Sequence, residues 1–146
     1  MADGLVPDLP GSILFLCGMN AVRSPIAEAE ARHLLPPHVY VTSAGVRKGE
    51  RDPFVDAVLA EDGLAIPDRQ PRLLAELEDD YFDLIITLAP EAHHAALELT
   101  RSAAIEVEYW PTADPTMVTG TRQQILDDYR ETRNRLADTI RNRFNT

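Results

Sequence analysis

The sequence predicts an α/β protein built on a four-stranded, doubly wound parallel sheet with helices on both faces. Two observations predict it. Four short runs rich in apolar and β-branched residues, at 13–16, 39–42, 83–88 and 105–109, alternate with four stretches of helical periodicity. Such β-α alternation closes as parallel neighbours through right-handed crossovers, because a tight hairpin cannot join parallel strands. The first run also passes through a short polar loop straight into a helix start. In open α/β sheets ligands gather at that edge, the C-terminal ends of the strands.

At 146 residues the chain is expected to form one domain, a loose lead-in over 1–11 followed by a single unit over 12–146. The lead-in is polar and carries two prolines. A domain of this size buries roughly 70% of its unfolded surface and needs no covalent staples. The single cysteine excludes an internal disulfide and a cysteine zinc cluster, and it suits a reducing cytoplasm. The formal charge of −10 argues against a nucleic-acid partner. No apolar run approaches the roughly 18 residues of a membrane span, and no signal pattern opens the chain.

The first strand, Ile13-Leu14-Phe15-Leu16, has no polar interruption, as expected of a strand covered on both faces. Cys17, Gly18, Met19, Asn20, Ala21, Val22, Arg23 and Ser24 follow, and Ser24-Pro25 reads as N-cap and first helical residue. That helix is expected to reach Leu35, where Pro36-Pro37 stops it. A tight loop entering a helix N-terminus aims successive N–H groups at one point, so it forms an anion site. Gly18 lets the backbone approach closely, and Asn20 tolerates the positive φ such a loop needs. Arg23 offers a planar fork for two phosphate oxygens. Cys17 sits beneath the same point, where positive potential favours the nucleophilic thiolate.

The second strand runs into Ser43-Ala44-Gly45, a turn at its C-terminal end. Asp52-Pro53 opens a helix by N-cap and N1 logic; Phe54, Val55, Val58 and Leu59 form its apolar face, and Gly63 closes it. Residues 64–72 read as a connection and 73–77 as a short helical turn. The acidic Glu76, Glu78, Asp79 and Asp80 read as a solvated face. After the third strand, Pro90 starts a helix to about Leu99, with His93 and His94 as exposed residues that point too far apart to share a metal. The alternating fourth strand suits a sheet edge. Trp110 to Pro115 then lead to a long helix over 121–143 with Ile125, Tyr129, Leu136 and Ile140 on its apolar face and its arginines in solvent.

Cys17, five residues, Arg23 and Ser24 form the Cys-x5-Arg-Ser signature of cysteine phosphatases. Its position after the first strand and before Ser24-Pro25-x-Ala27-Glu28 resembles the low-molecular-weight protein tyrosine phosphatase family. Ser43-Ala44-Gly45 and Asp114-Pro115 match the same family. The resemblance implies the flavodoxin-like strand order 2-1-3-4. It implies Cys17 as nucleophile, Arg23 and the loop from Gly18 to Ser24 as the phosphate cradle, and Asp114 as general acid and base. It also implies Ser43 and Asn20 as braces of the loop, Ser24 as a hydrogen-bond partner of the Cys17 sulfur, and no metal or cofactor. The substrate would be a phosphorylated protein or a small phosphomonoester.

Three departures stand out. Met19 replaces a common glycine, and Val22 replaces a second cysteine, so an oxidised Cys17 has no neighbouring thiol to protect it. Thr116 and Met117 stand where tyrosines often flank the substrate ring, which leaves Tyr109 or Trp110 to compensate if they do not serve in the core. Where the family has a loop-bracing histidine, this chain has Arg69, Gln70, Pro71 and Arg72. Two other functions fit the same loop: an arsenate reductase drawing on an external thiol, and a phosphate- or phosphopeptide-binding module without turnover.

Overall fold

In the computed structural model, described over residues 9–67, 70–78, 81–102 and 104–146, four parallel strands form one sheet in the order β2-β1-β3-β4. The strands are β1 (Ser12–Cys17), β2 (Tyr40–Gly45), β3 (Leu84–Thr87) and β4 (Glu106–Tyr109). The helices are α1 (Arg23–Leu34), α2 (Pro53–Glu61), α3 (Pro90–Leu99) and α4 (Arg122–Phe144). Short 3-10 turns occupy Leu74–Glu76, Thr100–Ser102 and Pro115–Met117. The predicted architecture and strand order are both present. Most of the lead-in, together with Arg69, Asp79 and Asp80, lies outside the described residues.

The sheet is covered on both sides, which is why β1 reads as an unbroken apolar run. Ile13, Phe15 and Cys17 face a large cluster with α1, α2 and α4, while Leu14 and Leu16 face a smaller one with α3. β4 at the edge is only partly covered, and it alternates as expected. α1 lies between the sheet and the other two helices and buries every residue from Ser24 to Ala31. Three of those are alanines, which let the neighbouring backbones approach.

Several sequence expectations need correction. α1 starts at Arg23 with Val22 before it and no side-chain cap, so Ser24 is not the N-cap. Its hydroxyl turns inward to the Cys17 sulfur at 3.0 Å instead. Pro25 still costs no hydrogen bond, because it lies within the first four amides. His93 is not a plain surface residue: its ring meets the Thr87 hydroxyl at 3.0 Å and stacks on Tyr109 at 4.7 Å. Tyr109 is thereby exposed rather than in the core, whereas Trp110 packs edge-on against Phe15. Arg133 of α4 is buried, not solvated. It donates to the Val58 carbonyl at 2.7 Å and to Glu61 at 2.8 Å, where the negative end of the α2 dipole favours a cation.

Candidate active site

The parallel sheet brings the C-terminal ends of β1 and β2, and the segment after β4, to one rim. The residues from Cys17 to Arg23 cross this rim. Asn20 takes φ 53°, as a left-handed position in so tight a loop requires. The backbone N–H groups of Met19, Asn20, Ala21 and Val22 donate to no group among the described residues. Together with the uncapped start of α1, they form a run of free donors beside the Cys17 sulfur.

A buried chain of hydrogen bonds holds this shape. The Asn20 amide donates to Ser24 Oγ and to Ser43 Oγ, both at 2.9 Å. Its oxygen accepts the Arg72 backbone N–H at 2.8 Å, so every polar atom of that buried side chain is used. Ser43 donates onward to Glu28 at 2.6 Å, and Glu28 pairs with Arg32 at 3.1 Å. Ser24 Oγ accepts from Asn20 and lies 3.0 Å from the Cys17 sulfur and 3.4 Å from the Ala44 carbonyl, so its one proton serves one of those two acceptors. From the β2 side, the Val46 and Arg47 amides both hold the Gly18 carbonyl, at 2.9 and 2.8 Å.

Packing adds a second constraint. A Cβ on Gly45 would lie 2.6 Å from the backbone of Met19 and Asn20, so the loop rests directly on that glycine. A Cβ on Gly49 would meet Met19 at 2.6 Å. On the other flank, Arg47 and Glu91 form a two-pronged ion pair, 2.9 and 2.8 Å, over Gly18. The Arg47 hydrogen bonds hold the Glu91 carboxyl below its usual range.

Arg23 leaves the loop toward the segment after β4. It donates to the Thr112 carbonyl at 3.0 Å and stands 3.9 Å from the Asp114 carboxylate. Asp114 is extended, as the following Pro115 demands, and its other oxygen accepts from the Thr116 amide and hydroxyl at 2.9 and 2.7 Å. Cys17, Arg23 and Asp114 thus line one open cleft of about 510 Å³, whose far wall is the 48–53 segment. That wall is held by Asp52, which caps α2 through the Phe54 amide and accepts the Tyr129 hydroxyl at 2.6 Å.

The structure therefore brings together the whole loop from Cys17 to Ser24, Ser43 and Asp114. Sequence reasoning missed Gly45, Glu28, Thr42 and Arg72 as supports. Arg72 braces the loop from the segment after α2: its amide donates to Asn20, while its guanidinium bonds the Thr42 hydroxyl. Glu28 was visible only as one letter of a motif. Nothing in a helical pattern reveals that a glutamate is fully buried, as this one is.

The family model for low molecular weight phosphotyrosine protein phosphatase matches residues 12–144. An arsenate reductase of Shouchella clausii (strain KSM-K16) is 30% identical over 112 residues, covering 77% of this chain and 79% of that protein. Among solved structures, an arsenate reductase from Archaeoglobus fulgidus DSM 4304 is 30% identical, with a TM-score of 0.62 over 88% of this chain and 98% of the other. The YwlE arginine phosphatase from Geobacillus stearothermophilus is 25% identical, with a TM-score of 0.73 over 90% and 88%.

Proposed function

The chain belongs to the low molecular weight phosphotyrosine protein phosphatase family, and from that premise we propose that it hydrolyses phosphomonoesters through a phosphocysteine at Cys17. One observation carries the reading: a sulfur lies beside a run of loop amides that have no acceptor among the described residues. The Cys17 thiolate attacks phosphorus, and the phosphate oxygens take up the free amides and the Arg23 guanidinium. Asp114 protonates the departing oxygen, then deprotonates the water that cleaves the phosphocysteine. Ser24 donates to the sulfur both as thiolate and as leaving group. The chemistry is complete in these side chains and calls for no metal or organic cofactor. A phosphorylated protein side chain, phosphotyrosine above all, is the substrate the family suggests; the arginine phosphatase among its structural neighbours extends the candidates to phosphoarginine.

The test is hydrolysis of p-nitrophenyl phosphate at mildly acidic pH. Wild type turns over, Cys17→Ser does not, and Asp114→Asn is slower by about 10²–10⁴-fold, the usual worth of general acid–base catalysis. Wild-type activity no greater than that of Cys17→Ser leaves a phosphate-binding module as the better description.

A second reading has its own support, the similarity to arsenate reductases at 30% identity. Cys17 is the only cysteine of the chain, so an internal disulfide relay cannot operate. Reduction would need an external thiol, and arsenate-dependent consumption of glutathione would reveal it.

A further inference from the structure

Positive charge is scarce in this protein: 14 lysines and arginines face 24 acidic residues. Nearly all of it is spent internally. Among the described residues every arginine meets a carboxylate, a carbonyl, a hydroxyl or an aromatic ring; Arg122, over the Phe54 ring, is the least obvious case. Lys48, the only lysine of the chain, has no such partner among the described residues. It is exposed and lines the wall of the cleft that holds Cys17 and Arg23.

The position of Lys48 is set by packing. Its neighbour Gly49 rests on Met19 of the phosphate loop, and the preceding Val46 and Arg47 amides hold the Gly18 carbonyl. The lysine is therefore carried at a fixed offset from the cradle. Two other charges of that wall are committed, Arg51 to Asp56 and Asp52 to Tyr129 and the Phe54 amide. Glu50 is also exposed on the cleft, but an unpaired carboxylate is ordinary where acids exceed bases by ten, and an unpaired cation is not.

Among the described residues no aromatic side chain lines this cleft. A substrate ring finds no stacking partner among these residues, which leaves apolar contact with Met19 and charge as the sources of selectivity beyond the phosphate. We infer that Lys48 is a specificity-determining residue, binding a second anionic group that the substrate carries beside its phosphorylated one. This rests on the phosphatase reading above. Two sources share that chemistry: an acidic residue flanking a phosphorylated side chain, and the carboxylate of a small phosphorylated acid.

The test compares kcat/KM within matched pairs. One pair is a phosphotyrosine peptide with a neighbouring glutamate against the same peptide with glutamine. The other is free O-phosphotyrosine against its carboxamide. Wild type prefers the more anionic member of at least one pair by about fivefold, the ceiling that an exposed ion pair of about 1 kcal/mol sets. The preference lies in KM and shrinks as salt rises. Lys48→Met, which keeps the apolar stem, brings the ratio to about one, and Lys48→Arg restores it. The pair that responds identifies the source. Equal ratios in wild type and Lys48→Met overturn the inference while leaving the phosphatase reading intact. A wild-type chain inactive on p-nitrophenyl phosphate removes both.

Discussion

Ser24 fits two tasks that the sequence cannot separate, and the structure gives it only one. As a residue before proline at a helix start it looks like a cap, yet its hydroxyl sits between Asn20 and the Cys17 sulfur. A cap hydroxyl would have consumed one of the helix's first amides; turned inward, it leaves them for an anion. Removing it should act on the chemical step more than on binding. Ser24→Ala is expected to lower kcat for p-nitrophenyl phosphate by about 10- to 100-fold, the equivalent of one hydrogen bond to a charged group. KM should change little. Steady-state kinetics check both, and a loss confined to KM would contradict the role. Asn20 shows the converse case. Its left-handed backbone was legible because few other side chains tolerate that conformation, but its three hydrogen bonds to Ser24, Ser43 and Arg72 were not. Those partners come from three separate stretches of chain.

Between elements, the loop from Cys17 to Arg23 is held by what β2 lacks as much as by what it offers. Gly45 ends β2, pairs with Cys17 in register, and leaves no room for a methyl group against the Met19 and Asn20 backbone. Gly45→Ala is expected to destabilise the protein by about 1–3 kcal/mol, the usual cost of overpacking, and to reduce phosphatase activity sharply by displacing the loop. Gly18→Ala is a built-in comparison. Its added carbon would press on the Glu91 carboxylate and touch the Arg47 guanidinium, the ends of two flexible side chains rather than backbone. Thermal melts and activity of the two variants should separate them, with Gly45→Ala the worse in both. From the sequence Gly45 was an ordinary turn glycine; only the parallel pairing of β1 with β2 puts it under the loop.

Across the whole molecule, stability should depend on pH through a buried carboxyl where α1, the end of α2 and α4 meet. Glu30 is almost fully buried, and desolvation followed by the adjacent Asp62 carboxyl raises its pKa to about 7. Arg133 and Arg141 oppose that shift without cancelling it. In the unfolded chain the group titrates near 4.5. A raised folded value means the native state holds the proton more tightly. Its stabilisation is complete below about pH 4.5 and is lost as pH rises through about 7. Glu61 works the other way. Hydrogen bonds from Arg130 and then Arg133 lower it to about 2, so its contribution is present above about 4.5 and fades as pH falls toward 2. That pair is partly exposed, and solvent screening keeps its contribution small. Urea unfolding of wild type should thus show a loss of stability between pH 5 and 8, on the order of 2 kcal/mol. Glu30→Gln should flatten that slope. An unchanged slope in the variant would place the titration elsewhere.

The sequence by itself determined the element order, the parallel sheet and the chemistry-bearing loop. Each of these depends on local rules: apolar runs at strand length, prolines at helix starts, a glycine past a helix end, and a cysteine and arginine at a spacing one loop can span. It also determined that no second thiol could join Cys17. Only the tertiary structure decided which further groups support that loop. Glu28, the pair Thr42 and Gly45, and Arg72 lie on three separate stretches of chain and meet at the rim where the parallel strands end. Burial of a charged side chain, as in Glu30 and Arg133, likewise depends on the other helices that cover it, and no pattern along its own helix records them.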